Sequence, residues 1–253
     1  MAAATAELVE PYPDKPAEGL LQFFVELSPM ASPVFEVGRP SEAAVELMRL
    51  LERALRQSQA IDIEALCVVA GKRVWSVRCD VTFLDHRGNL SDSAILAALA
   101  ALKHLRLPAV SIAGTGDEAT VKTLTSEQAE PLPLVFHHMP VAVTLGFFKS
   151  VEGFLLYVID PTDREELVMS GSLVVVLNQY NELCALHKPG GLPVQGAQLL
   201  DCIRQAAEAA PRLLAAVVKA SQEYTEQLEA RAATLAKTGR APTRARSHSS
   251  EVV

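Results

Sequence analysis

Val74-Trp75-Ser76-Val77-Arg78-Cys79-Asp80-Val81-Thr82-Phe83-Leu84 decides the fold. Trp75, Val77, Cys79, Val81 and Phe83 fall on one face at period two, and Ser76, Arg78, Asp80 and Thr82 fall on the other. That alternation predicts a half-buried β-strand. Asp85-His86-Arg87-Gly88-Asn89 then breaks the pattern with turn chemistry. Ser91 or Asp92 is placed to cap an apolar helix from Ala94 to Leu105. A loop between a strand and a helix N-terminus offers backbone N–H groups to an anion. The first functional question is whether this one holds phosphate.

Outward toward the N-terminus, Ile63 to Val69 reads as a second strand, joined to the first by Ala70-Gly71-Lys72-Arg73. That Gly-Lys has no Walker spacing before it and makes no nucleotide site. Gly38-Arg39-Pro40-Ser41 leads into a helix with Ser41 as N-cap and Ala44, Val45, Met48, Leu51 and Leu55 as the apolar stripe. Arg49, Arg53 and Arg56 lie on its outer side, with Glu52 and Arg56 at i,i+4. Periodicity allows two readings of these arginines: a solvated face with local ion pairs, or a surface for RNA or a partner. Gly19 to Leu27 is a strand ended by Pro29 and Pro33, and residues 1–18 carry no period.

Toward the C-terminus, Pro108 to Gly116 is a strand and a Gly-rich loop. Its Gly114-Thr115-Gly116 lacks the context of a dinucleotide site. Thr120 to Leu124 is extended. Val141 to Phe148 and Phe154 to Asp160 form one hairpin, and Leu173 to Asn178 and Leu183 to His187 another. A helical region covers about Gln195 to Lys237, where Pro211 implies a kink or two helices. Residues 238–253 are polar, basic and unpatterned, the composition of a disordered tail. The order of elements indicates α/β or α+β with mixed sheet pairing.

At 253 residues, 49% hydrophobic and 21% charged, the chain fits one large domain or two small ones. No apolar run approaches the ~20 residues of a membrane helix. Met1-Ala2-Ala3-Ala4-Thr5 lacks the cations of a signal peptide. Cys67, Cys79, Cys184 and Cys202 are scattered, as reduced structural thiols are. The net charge of −7 is opposite to that of a free-standing nucleic-acid binder, so any RNA contact needs a local patch.

There is no Ser-centred nucleophile elbow, no His-Glu-x-x-His and no Cys ligand cluster. His137-His138 point to opposite faces of an extended segment and do not readily share one metal. Asp160, Asp163, Glu165 and Glu166 read either as a solvated turn or as a Mg²⁺ site.

Several stretches in order resemble the RNase PH family: Gly19 to Leu27, Phe35-Glu-Val-Gly-Arg39, Leu50 to Arg56, Ile61 to Gly71 and Val74-Trp75. Asp85-His-Arg-Gly-Asn89, His137-His-Met-Pro140 and Asp160 to Glu166 continue the series, which covers residues 7 to 235. The resemblance implies an α+β fold of the ribosomal protein S5 domain 2-like type. It divides the chain into a first half at 1–130, a second half with C-terminal helices at 131–236, and a basic tail at 237–253. It also implies that relatives carry several dozen residues before the point matching Met1, so that this chain would lack N-terminal strands and leave a sheet edge open.

Active relatives degrade RNA from its 3′ end with phosphate as attacking group. Arg39 matches a phosphate-binding arginine. The Thr-Arg pair that completes the phosphate pocket is matched by Leu90-Ser91, which lacks the guanidinium fork. Arg164 and Ser170 match the catalytic aspartates. The resemblance thus implies no catalytic residues, no metal and no cofactor, and a non-catalytic subunit of the six-membered RNA exosome ring. Partners would be other RNase PH-like subunits, S1/KH cap proteins and RNA, with Arg39, Arg49, Arg53 and Arg56 lining the RNA path. The expected locations are nucleus, nucleolus and cytoplasm.

Overall fold

In the computed structural model, which describes residues 1–36, 38, 40–113, 120–125, 128–150 and 155–238, four strands make the first sheet. They are β1 (Ala2–Val9), β2 (Leu20–Leu27), β3 (Cys67–Val69) and β4 (Arg73–Phe83). β4 is the decisive stretch of the sequence. Trp75, Val77, Cys79, Val81 and Phe83 are buried, whereas Arg78 is exposed and stacks its guanidinium 4.2 Å over the Phe24 ring. β2 runs parallel to β4 with Leu20 opposite Ser76 and Leu27 opposite Phe83. A parallel pair needs a crossover. Helix α1 (Glu42–Leu51) supplies it and continues without a break as a π-helical turn, Glu52–Gln57. Ser41 caps α1 as expected, its Oγ accepting from Ala44 N at 3.3 Å.

β1 corrects the reading of residues 1–18. It pairs antiparallel with β4 from Ala2–Val81 to Val9–Val74, and it is periodic after all. Ala2, Ala4, Ala6 and Leu8 pack on the core while Ala3, Thr5 and Glu7 are exposed. Alanine has weak strand preference, so the ladder to β4 rather than local propensity fixes this segment. β1 is the outermost strand on its side of the sheet order β1-β4-β2. Ile63–Val69 is only partly strand: Glu64–Leu66 is a 3₁₀ turn, started by Asp62 Oδ1 accepting from Glu64 N and Ala65 N, and β3 follows.

Helix α2 (Leu90–His104) begins four residues before the expected Ala94, because Asn89 and not Ser91 or Asp92 is its cap. Asn89 takes a left-handed conformation, φ 46° and ψ 55°, which asparagine tolerates better than most residues. Ile95, Leu99 and Leu102 are fully buried, and α2 meets β1 and β4 of the first sheet and, on its other side, the strand β9 (Val141–Lys149) of a second sheet. Short strands β5 (Arg106–Leu107), β6 (Val110–Ala113), β7 (Thr120–Thr123) and β8 (Leu132–Pro133) pair as β5 with β8 and β6 with β7.

The second sheet has the order β10-β9-β11-β12 and holds both expected hairpins: β9 (Val141–Lys149) with β10 (Leu155–Ile159), and β11 (Gly171–Leu177) with β12 (Leu183–His187). Val141 to Phe147 is buried throughout, since α2 and the last helix cover β9. α3 (Asp163–Val168) interrupts the two hairpins. α4 runs from Gly196 to Thr238 as one continuous helix with Pro211 inside it, so of the two readings of Pro211 a division into two helices is excluded. Pro211 withdraws one N–H, but it stands exposed just past Ala210, the last residue of the buried face Cys202, Ala206, Ala210. Mixed helices and sheets in this arrangement make the α+β fold anticipated from the sequence. The Gly114-Thr115-Gly116 loop and residues 239–253 lie outside the described residues.

Candidate functional site

The turn between β4 and α2 is where the two halves of the chain are fastened. Asn89 is 7% exposed, and its amide NH₂ donates to Asp92 Oδ2 at 2.8 Å and to Asp160 Oδ1 at 2.6 Å. Its own Oδ1 accepts from Asp92 N at 3.3 Å. Asp92, on the first turn of α2, also accepts from Thr144 N (3.0 Å) and Thr144 Oγ1 (2.6 Å) on β9. Burial raises the Asp92 carboxyl above the ordinary aspartate range. The hydrogen bonds from Thr144 and Asn89 work against that, and the Asp160 carboxylate adds to it.

Glu166 of α3 closes the fastening. Its Oε1 accepts from Asn89 N at 2.8 Å. This is one of the backbone donors that the strand–turn–helix geometry offers to an anion, and it is taken by a carboxylate of the same chain. α3 is aimed by a capping box: Thr162 Oγ1 accepts from Glu165 N, and Glu165 Oε2 accepts from Thr162 N at 2.8 Å. The Thr162 N–H and the Thr162 hydroxyl, both donating to Glu165 Oε2 at 2.8 Å, hold the Glu165 carboxyl below its usual range. Asp160 is exposed at the turn, as the solvated reading has it, but the acidic run is tied into the fold. Asp160 and Glu166 are tied to Asn89, and Asp163 N donates to Arg87 O. No cluster of metal-ligating groups occurs among the described residues.

Beside this knot lies a cleft of about 390 Å³. Leu47 and Leu50 of α1, Leu90 at the start of α2, and Val174 of β11 give it an apolar floor. Glu46, His86, Glu166 and His187 stand around it, and Phe35 packs its ring 5.6 Å from that of His86. Leu90 and Ser91 line the cleft, as the sequence placed them. Arg164 and Ser170 do not: the second half contributes Glu166 and Ser172 instead. Arg164 is exposed on α3, and the Ser170 backbone is spent pairing with Phe147 and Leu192.

The arginines are not brought together as one face. Arg49, Arg53 and Arg56 are all exposed. Arg53 reaches the second half, its Nη1 3.5 Å from His187 Nδ1, and His187 Nε2 in turn lies 3.0 Å from Glu46 Oε1. Arg56 turns elsewhere: it stands 4.0 Å from Glu52 and borders a separate cleft with Lys15, Glu18 and His137. The wider π turn from Glu52 to Gln57 offsets Arg56 from the α-helical line of Arg49 and Arg53. Arg39 lies outside the described residues.

His137 is exposed and His138 half-buried, with Nε2 2.9 Å from Ser58 O and Nδ1 3.8 Å from Cys184 Sγ. The four thiols are unpaired, and burial pushes that of Cys79 up to about 12 and that of Cys184 up to about 11, which makes neither a nucleophile. Sequence reasoning took Asn89 only as a turn residue and Asp92 only as a possible cap, and gave Thr144 and His187 no role. The Asn89-x-x-Asp92 spacing at a helix start was the available signal for the first two.

Residues 1–108 match the model of the 3′ exoribonuclease family, domain 1, and residues 138–209 match domain 2 of the same family. A relative from Arabidopsis thaliana named exosome complex component RRP45A is 47% identical over 94% of this chain and 77% of its own length. The chain belongs to the RNase PH family. Exosome complex component RRP45 of Homo sapiens is 44% identical over 85% of this chain but only 48% of itself, and RRP45B of Arabidopsis thaliana is matched over 54% of its length. The chain thus spans about half the length of several relatives. A solved structure described as "archaeoglobus fulgidus exosome with RNA bound to the active site" superposes with a TM-score of 0.70 at 30% identity, covering 84% of this chain and 76% of that one.

Proposed function

We propose that the chain is a ring subunit of an RNA exosome that contributes structure and RNA contacts but does not itself cleave RNA. It packs against other RNase PH-like subunits beneath S1/KH cap proteins. Arg49, Arg53 and Arg56, with Arg39, meet passing RNA through its phosphates, without sequence preference. The assembly part of this reading is supported by relatives named as exosome complex components and by the resemblance to an exosome structure.

The absence of cleavage is supported by one observation above the rest: the Glu166 carboxylate occupies the Asn89 N–H at the helix start. An incoming phosphate would meet a fixed negative charge there, and the Leu90 side chain offers it no donor. Purified chain, alone and with its RNase PH-like partners, is incubated with 5′-labelled oligoribonucleotide, Mg²⁺ and inorganic phosphate. No nucleoside diphosphate attributable to this subunit is expected. Release by the chain alone would establish the rival reading, an active phosphorolytic 3′–5′ exoribonuclease. Failure to co-purify with the partners would favour a third, a form that joins no ring.

A further inference from the structure

The cleft beside Leu90 is a built cavity whose chemistry no longer suits RNA. At about 390 Å³ it falls within the ~300–1,000 Å³ of small-ligand pockets. Its floor is aliphatic, from Leu47, Leu50, Leu90 and Val174. Among its described lining residues there are carboxylates, Glu46 and Glu166, and no Lys or Arg. Among the described residues each carboxylate is anchored by one hydrogen bond, Glu46 Oε1 with His187 Nε2 at 3.0 Å and Glu166 Oε1 with Asn89 N at 2.8 Å. An ionised carboxylate has about four acceptor positions, so each retains capacity for further donors facing the cavity.

From this charge complementarity we infer that the cleft is a docking site for a protein partner's extended segment, one that inserts a large apolar side chain and places a Lys or Arg next to it. The aliphatic floor takes the apolar side chain, and Glu46 and Glu166 take the cation at the rim. A polyphosphate strand meets two carboxylates and no Lys or Arg on the described lining. The inference rests on the reading of this cleft as non-catalytic, but it is tested separately from it.

Random heptapeptides displayed on phage are selected against immobilised full chain, with counter-selection on Leu90→Arg, which fills the floor and adds a cation. The expected outcome is an enriched consensus of Leu, Ile, Met or Phe flanked by Lys or Arg. A synthetic peptide of that consensus should bind at least tenfold more weakly to L90R and severalfold more weakly to Glu46→Gln. Retained far-ultraviolet circular dichroism and thermal midpoint show that both variants fold. No enrichment over L90R, or a consensus without a cation, overturns the inference. So does displacement of the peptide by oligouridylate, which would return the cleft to nucleic acid. Phosphorolysis in the assay above would remove the non-catalytic reading while leaving this binding result to stand or fall by itself.

Discussion

Replacing Asp92 tests the fastening between the two halves, because alanine and asparagine at this position should behave in opposite ways. The carboxylate accepts three hydrogen bonds from other residues: from Asn89 Nδ2, Thr144 N and Thr144 Oγ1. In Asp92→Ala the Thr144 N–H loses its acceptor in a residue only 5% exposed, at a cost of about 1–3 kcal/mol. One amide of Asn89 and the Thr144 hydroxyl lose theirs as well, at roughly 1 kcal/mol each. Removal of a buried carboxylate gives part of this back, leaving a net loss of about 2–4 kcal/mol. Asp92→Asn keeps the shape. Its carbonyl oxygen can accept from Thr144 N and Asn89, and its NH₂ can donate to Thr144 Oγ1 once that hydroxyl rotates. It should stay within about 1 kcal/mol of wild type at neutral pH.

The pH dependence has a definite sign. The folded-state pKa of Asp92 is raised, with burial as the leading cause. The stability tied to its proton is fully present below the unfolded value of about 3.9 and is lost as pH rises through the raised folded value. Asparagine carries no such proton. The stability of Asp92→Asn relative to wild type should therefore increase as pH climbs from about 4 and level off above the folded pKa. Urea unfolding followed by circular dichroism at half-unit steps from pH 4 to 8 reads both effects. Equal destabilisation by alanine and asparagine, with no pH trend between asparagine and wild type, would show that the negative charge itself holds Asn89 and would refute the reasoning.

Two further outcomes follow from the same geometry. Gly88 has φ +101°, and a Cβ there would come within 2.5 Å of Pro161 O and 2.6 Å of Asp163 N, both backbone atoms. Gly88→Ala should cost more than about 2 kcal/mol, since the left-handed strain alone is of order 1 kcal/mol. The loss should appear as faster hydrogen exchange at Asn89 and Asp163; wild-type exchange would mean the turn does not press on α3. In an assembled ring, changing Arg49 and Arg53 to Glu should reduce RNA crosslinking severalfold and flatten its salt dependence, whereas Arg56→Glu should do less because Arg56 faces Glu52. Equal losses from all three would mean that the arginines act as one patch despite their separate directions.

What the sequence disclosed depended on whether the determining contacts were local. β4, the two hairpins and the Ser41 cap announce themselves within a few residues, through period two and turn chemistry. β1 does not: Ala-Ala-Ala-Thr-Ala has no preference strong enough to mark a strand, and its alternation becomes visible only when β4 lies beside it. Helix α2 was entered late because Asn89 reads as a turn residue, and its left-handed cap is sustained by Asp160 and Glu166, 71 and 77 positions away. Pro211 was read as a break because the local rule ignores where the helix sits, and at an exposed position one lost donor is tolerated. At the site, Leu90 and Ser91 line the cleft from the first half. Glu166 and Ser172 line it from the second half and Arg164 and Ser170 do not, because which side chain of α3 meets the cleft depends on how that helix is set against Asn89. The Thr162–Glu165 capping box was the one local signal that fixes the start of α3 and with it the direction of Glu166.

The knot and the cleft share one physical cause. A helix N-terminus following a strand presents donors and a positive dipole end, and some acceptor must meet them. In a phosphate-binding site the acceptor comes from solution, so the donors must be open and cations must gather round. Here the acceptors are covalently part of the chain: Glu166 on Asn89 N, and the Asn89 amide on Asp92 N. A tethered carboxylate need not be recruited from dilute solution, and no nearby cation is needed to retain it. Displacing it with phosphate would leave Glu166 to find another donor and bring two negative charges together. On the non-cleaving reading proposed above, the same interactions that bind β9 and α3 to α2 occupy a donor of the anion site, beside a surface that Leu90 makes aliphatic. On that reading structural fastening and low phosphate affinity share hydrogen bonds, so a change that loosens the fastening should open the Asn89 N–H to phosphate.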